Sequence, residues 1–396
     1  MARNTSVAAV IVAGLSLQFC RGALAKDDAD LSGTEAATMA QTAYENGDEN
    51  KALTLFLKAA NSDDLTSAQK AIAFKDCGII YEKHNSWGLA IQAYSAAIKA
   101  NPSFHAAYYA KANVEADRQS QYDDAIADYT AAIRLAPSKA DYYFSRAVSY
   151  DRKGEYDLEM QDENEAIKLD PTFWQAYSGR AYVYSHKGEL QAAIADYNAA
   201  AHLGCKCAIV YASRGFAYRE LHDYARSLAD YNTAIQMDPD NADTYLNRGV
   251  TLFDLGRFED AAKDFAVYRK AFHQNIYGVL WLHIANERSG IKDKSDLMAA
   301  SDQFAIGQWP TIIMALYVGQ ATEDQLAVEL AKPDAGANNN PICIEPFYLA
   351  EYELEEGELQ RARADFSRVV SADCQQGEKE ASFEELARLP AREPGQ

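Results

Sequence analysis

Proline and glycine are scarce in this chain of 396 residues, with 10 Pro and 21 Gly. So few breakers exclude collagen-like and flexible low-complexity chains and, with abundant Ala, favour helix. Basic residues are short too. Lys and Arg number 38 against 58 Asp and Glu, a net charge of −20. That excess of acid argues against nucleic-acid binding, because phosphate affinity comes mostly from Lys and Arg. Anionic membrane surfaces are disfavoured for the same reason. No stretch reaches the roughly 20 apolar residues of a membrane span; Val7 to Phe19 and Thr311 to Val318 are both shorter. The 48% of apolar residues is nevertheless enough to build a core.

Chemistry-bearing motifs are missing as well. The chain has no Walker P-loop, dinucleotide glycine motif, G-x-S-x-G elbow or H-E-x-x-H. The seven His, at 84, 105, 186, 202, 222, 273 and 283, are scattered without ligand spacing. Cys205 and Cys207 read as too close for an easy bridge and too few for zinc, and Cys77 as a buried thiol. The carboxylates Glu351, Glu353, Glu355, Glu356 and Glu358 read as a solvated acidic face. No catalytic residue, metal or cofactor is assigned. The alternative is an enzyme with its site among residues 274–396, where Trp281, Trp309 and His283 lie among apolar residues.

What is present begins with an address. Arg3 leads the apolar stretch, Ala23-Leu24-Ala25 forms a small-x-small site, and Lys26-Asp27-Asp28 follows. This is the secretory signal pattern, with cleavage expected after Ala25 and a periplasmic or secreted mature chain.

The body is a repeat. AIQAYSAAIKANP, AIADYTAAIRLAP, EMQDENEAIKLDP, AIADYNAAAHLGC and SLADYNTAIQMDP end at 102, 137, 171, 205 and 239, spaced by 35, 34, 34 and 34. Ala90, Tyr94 and Ala97, spaced by 4 and 3, share one helix face, and later segments repeat small, aromatic, small. Small residues let antiparallel helices approach while aromatics fill gaps between successive pairs, so stacking builds one core. Proline closes most units because it lacks a donor.

This pattern resembles the tetratricopeptide repeat family, whose signature positions 4, 8, 11, 20, 24, 27 and 32 fall on Phe74, Gly78, Tyr81, Ala90, Tyr94, Ala97 and Pro102. Clear units start at 71, 105, 140, 174, 208 and 242, and a weaker one at about 33 to 66 carries Ala52, Phe56 and Ala59. The resemblance implies an all-α solenoid, a right-handed superhelix of antiparallel helix pairs, with a helical C-terminal region. The predicted organisation is a signal peptide at 1–25, an N-terminal arm and weak repeat at 26–70, six units at 71–273, a helical region at 274–342 and a degenerate pair with a final helix at 343–396. Helices are predicted over Tyr277 to Arg288, Pro310 to Gly319 and Glu323 to Ala331, with Thr322 and Gln325 as a capping box.

The resemblance also implies that positions 2, 5, 6, 9, 12 and 13 of each first helix face a concave groove. Tyr109, Phe144, Tyr182 and Phe216 are the aromatic candidates there for docking a hydrophobic peptide or helix. Lys75, Asn113 and Asn247 match residue types of the family's carboxylate clamp. At position 7 stand Lys111, Arg146, Arg180, Arg214 and Arg248, and at position 23 Asp128, Asp162, Asp196, Asp230 and Asp264; this ladder reads as structural ion pairs between neighbouring helices. In the acidic unit 140–173, Glu159 and Glu163 replace a small residue and an aromatic. They are expected to pair with Arg146 or Arg180, the alternative being an acidic notch for a basic partner. Cys343 and Cys374, at positions 1 and 32 of the degenerate pair, are the disulfide candidate for an exported chain. That C-terminal segment resembles exported bacterial tetratricopeptide scaffolds of the cell envelope. The reading is therefore a non-catalytic scaffold for a protein or peptide partner of the envelope.

Overall fold

The computed structural model describes residues 31–273, 275–302, 311–330, 341–371 and 377–389, and among these all regular structure is helical. The signal segment, Trp309 and Cys374 lie outside the described residues, as does the side chain of Cys343, so the Cys343–Cys374 pairing does too. The chain divides into two compact units, Met1–Val183 and Tyr184–Gln396.

The first unit holds α1 (Gly33–Glu45), α2 (Glu49–Ala60), α3 (Ser67–Lys83), α4 (Trp87–Ala100), α5 (His105–Gln119), α6 (Tyr122–Leu135), α7 (Ala140–Lys153), α8 (Tyr156–Leu169) and the start of α9 (Trp174–His186). Local chemistry sets the helix starts. Ser32 and Glu35 form a capping box before α1, and Thr66 and Gln69 form one before α3. The weak unit is a complete helix pair, with Ala52, Phe56 and Ala59 at most 1% exposed. Ala90, Tyr94 and Ala97 are fully buried, as their spacing requires.

One backbone feature marks every unit. The residue between its two helices is left-handed: Gly47, Asn85, Ser120, Gly154, Gly188, His222, Gly256 and Gly357 all have φ between 52° and 84°. This position joins the weak unit at 33 and the degenerate pair at 343 to the array on geometric grounds. Glycine adopts that conformation freely, whereas an L-residue pays about 1–2 kcal/mol. Ser120→Gly is therefore expected to raise stability by about 1 kcal/mol in urea unfolding; a destabilised variant would show that the turn is relaxed with serine.

The second unit holds the rest of α9, then α10 (Leu190–His202), α11 (Ala208–Glu220), α12 (Tyr224–Met237), α13 (Ala242–Asp254), α14 (Phe258–Ala271), α15 (Ile276–Arg288), α16 (Ser295–Ser301), α17 (Thr311–Tyr317), α18 (Glu323–Leu330), α19 (Pro341–Glu355), α20 (Leu359–Ser371) and α21 (Gly377–Arg388). The Thr322 capping box forms, with Thr322 N donating to Gln325 Oε1 at 2.9 Å and Gln325 N to Thr322 Oγ1 at 3.3 Å. The seven-residue α16 is an addition, too short to show a helical period in sequence. Trp281 is 4% exposed, with the rings of Phe253, Phe265 and Phe347 at 5.2, 5.3 and 5.1 Å. It is a core residue, not part of an open site.

Three expectations need correction here. Glu351 and Glu353 do not belong to a solvated face, being 4% and 2% exposed. Cys205 and Cys207 are joined in a disulfide, with Cα atoms 5.3 Å apart. A separation of 5.3 Å is shorter than the roughly 6.6 Å of a fully extended pair, so the chain bends between the two residues, and it falls inside the usual Cα span of a bridge. The spacing that reads as too short is thus workable. Glu159 and Glu163 also pair with neither arginine. Arg146 makes a fork with Asp162 at 2.7 and 2.8 Å and donates to Thr130 Oγ1 at 2.8 Å, while Arg180 donates to Asn164 Oδ1 at 2.7 Å.

The charge ladder forms, and it does more than pair two helices of one unit. Arg214 and Arg248 each grip the aspartate 16 residues later through two bonds, at 2.7 and 2.6 Å to Asp230 and 2.7 and 2.7 Å to Asp264. Each also donates to an asparagine 16 residues earlier, Asn198 and Asn232, at 2.6 Å. A planar guanidinium can do this because its donors are fixed in a fork. Lys111, the lysine of the ladder, reaches Asp128 at 2.6 Å and Glu115 at 2.7 Å.

Candidate functional site

In the first unit, helices α5 and α7 border a cavity of about 330 Å³. Repeat geometry dictates its lining, since the same face of successive first helices is brought side by side. Asn113 and Asp117 come from α5, and Phe144, Val148, Ser149 and Arg152 from α7. The half-buried Phe144 meets Phe173 edge-on, with centroids at 5.2 Å. Asn113 is oriented by the Tyr129 hydroxyl, which donates to its Oδ1 at 2.7 Å. Asp117 and Arg152 are exposed. The site thus combines an apolar wall, a fixed carboxamide and one charge of each sign. Such a constellation can take an apolar side chain while its polar groups orient a backbone.

The sequence candidates separate on this geometry. Phe144 and Asn113 line the cavity together. Tyr109 packs instead. Its ring stacks on Tyr142 at 4.4 Å and its hydroxyl lies 3.1 Å from Ser145 Oγ, and burial pushes its phenol up from the usual range. Tyr182 is 40% exposed. Lys75 is no groove cation, being 8% exposed with its Nζ 3.3 Å from Asp76. In the second unit Phe216 is half-buried with the Arg219 guanidinium 5.2 Å over its ring, and Asn247 is half-buried on α13.

The acidic notch is not a surface. Glu159 and Glu163 are 3% and 1% exposed, and each has an Oε2 without a partner. Burial, with a smaller push from Asp151, raises the Glu159 carboxyl to about 8. Glu163 is raised well above the usual carboxyl range by burial, then by Glu159 and Asp162, against the pull of Arg180. Neither can greet a basic partner from inside the unit.

Two further groups stand outside the candidate residues, the first legible in the repeat positions and the second only in part. Asp117 and Arg152 both occupy repeat position 13, one of the positions the resemblance turns toward the groove. His283 and Glu287 are four residues apart on α15, and α19 brings Glu355 to them; their ligand atoms lie within 4.8 Å of one another. That third member is remote in sequence, so spacing alone hides the group.

A family profile described as TPR repeat matches residues 215–256, and two described as tetratricopeptide repeat match 78–120 with 114–172, and 164–195. No curated protein matches the chain. Among solved structures, a tetratricopeptide repeat protein from Parabacteroides merdae is 17% identical with a TM-score of 0.48, covering 64% of this chain and 98% of its own. YrrB, described as a TPR protein with an unusual peptide-binding site, is 18% identical with a TM-score of 0.42, covering 48% and 97%. MamA from Desulfovibrio magneticus RS-1, from its residue 41 onward, is 18% identical with a TM-score of 0.40, covering 45% and 96%. At these identities the likeness is one of fold.

Proposed function

Given that the chain carries tetratricopeptide repeats over 78–195 and 215–256, we propose that it is an exported, non-catalytic scaffold that binds a peptide segment of an envelope protein in the α5–α7 cavity. The observation that carries this reading is the lining itself: the half-buried Phe144 and Val148 beside Asn113, Ser149 and two exposed charges of opposite sign. An apolar peptide side chain enters against Phe144 and Val148, while the half-buried Asn113 meets main-chain polar groups. Aromatic anchors in a desolvated pocket carry most of the energy of such interfaces.

Export is supported by the signal pattern before Lys26 and by the Cys205–Cys207 disulfide, a bond that persists in oxidising compartments. A mature N-terminus at Lys26 in the envelope fraction is the expected result, and a cytosolic chain beginning at Met1 would overturn it.

Binding is tested by recovering partners from envelope extract with wild type, Phe144→Ala and Arg152→Glu. Loss of a single anchoring aromatic costs about 2 kcal/mol or more, which is a drop in affinity of about thirtyfold. Tyr109→Ala is a poor test, because it removes a ring stacked within the array. Equal recovery by a folded Phe144→Ala would exclude the cavity.

A further inference from the structure

We propose that His283, Glu287 and Glu355 form a binding site for one divalent transition-metal ion in the second unit, independent of the peptide cavity. The three side chains come from two helices. His283 and Glu287 project from one face of α15, where residues four apart are neighbours, and Glu355 is the last residue of α19. Their candidate ligand atoms, an imidazole nitrogen and two carboxylate oxygens, lie within 4.8 Å of one another.

The geometry is close to what an ion needs. His283 Nε2 is 3.1 Å from Glu355 Oε2, and two ligands on one tetrahedral zinc stand about 3.3 Å apart, given metal–ligand bonds of about 2.0 Å. Only the half-buried Glu287 must swing, by up to about 1.5 Å, to close the ligand atoms from within 4.8 Å to that spacing. Glu355 is already oriented for the task. Its other oxygen, Oε1, is held by Lys294 Nζ at 2.5 Å, and Lys294 is fixed in turn by donating to the Tyr317 carbonyl at 3.0 Å. A ligating carboxylate with its second oxygen anchored is the arrangement that tunes metal sites.

The packing gives His283 no other task. It is 4% exposed, its ring meets Tyr317 edge-on at 5.3 Å, and its Nδ1 is buried without a partner. A histidine kept inside at that cost has one polar contact, and it is the one facing the carboxylates. Alongside lies a cavity of about 160 Å³, lined in part by Glu287, Tyr317, Glu351 and Glu355, with room for a water on the remaining coordination position. Arg288 does not neutralise the cluster, because its guanidinium pairs with Glu385 and lies 3.9 Å from Glu351. Lys294 and Lys292, which also lines that cavity, are the ammonium groups nearby, so a dication would be held here by its ligand bonds rather than by a surplus of negative charge.

The donor set selects the ion. Calcium and magnesium prefer oxygen-only shells, while imidazole suits zinc, nickel, copper and iron. Bound there, the ion staples the end of α19 to α15 and stabilises the second unit in proportion to its occupancy.

The test uses the untagged full chain, stripped with a chelator and titrated with Zn²⁺ against a chromophoric competitor, alongside thermal unfolding with and without Zn²⁺. One saturable equivalent and a raised midpoint are expected. Glu287→Gln, at a half-buried position, should fold like wild type, unfold at the same temperature without metal, and bind at least tenfold more weakly. His283→Asn should abolish the site. Should that buried change prevent folding, Glu287→Gln alone decides. Absence of saturable binding in wild type, or the same affinity in a folded Glu287→Gln, would overturn the assignment and leave the group as a hydrogen-bonded chain from His283 to Lys294.

Discussion

Arg214→Ala is expected to lower the stability of the second unit by about 3–5 kcal/mol, the cost of stripping one partner from a buried ion pair. The side chains of Arg214 and Asp230 are 15% and 10% exposed, so the aspartate left behind cannot recover water freely. Asn198 loses its donor in the same step, and the contact over the Tyr211 ring at 5.2 Å goes as well. Arg214→Lys should cost less, because Lys111 occupies the equivalent place in its own unit through single bonds, but it forfeits the fork. The measurement is urea unfolding of both variants with Asp230→Asn and the double mutant. A large coupling energy identifies the pair as the source. A loss below about 1 kcal/mol for Arg214→Ala would place the ladder among exposed pairs that contribute little.

Acidification is expected to stabilise the first unit through Glu159 and Glu163. Both carboxyls are raised in the folded state from an ordinary value of 4.5, Glu159 to about 8 and Glu163 well above that ordinary value, both chiefly by burial. Below pH 4.5 both states hold the protons and the contribution is fully present. From there up to about pH 8 the unfolded chain releases protons that the folded chain keeps, so stability falls as pH rises, and above the folded values the loss is complete. Glu163→Met replaces the buried carboxyl with an apolar group of similar size. It should raise stability at pH 8 by about 2 kcal/mol, within the range seen when buried charges give way to well-packed apolar residues. The advantage over wild type should shrink steadily toward pH 5. Comparing wild type with variant at each pH removes the contribution of carboxylates elsewhere that are held low, such as Asp260 beside Lys263 and Arg257. A difference that does not change between pH 5 and 8 would mean that Glu163 is ionised throughout and solvated.

These two predictions also show how far the chain could be read without coordinates. Arg214 and Asp230 were legible as a structural pair because each recurs at a fixed repeat position. Their third partner, the asparagine 16 residues before each arginine, recurs just as regularly at 164, 198 and 232, but its role depends on how one unit sits on the next. Glu159 and Glu163 stood out as departures from the pattern. Pattern alone assigned them ion-pair partners because two buried, unpaired carboxyls are improbable, and the arginines proved to be committed to Asp162 and Asn164.

Helices, their pairing and their period follow from local chemistry: scarce breakers, a 34-residue rhythm of small and aromatic residues, capping boxes at Ser32, Thr66 and Thr322, and a left-handed residue between the helices of each unit. The breakers, the rhythm and the Thr322–Gln325 box are legible in linear order, whereas the boxes at Ser32 and Thr66 and the left-handed residues, among them Asn85, Ser120 and His222, emerge from the folded backbone. Which candidate aromatics pack and which remain open was settled by tertiary contacts, with Tyr109 stacked on Tyr142 while Phe144 lines a cavity. The same holds for His283 and Glu355, 72 residues apart and 3.1 Å from contact to contact. A site assembled from separate helices depends on how their faces are rotated and packed together, and that is a property of the whole core rather than of any one segment.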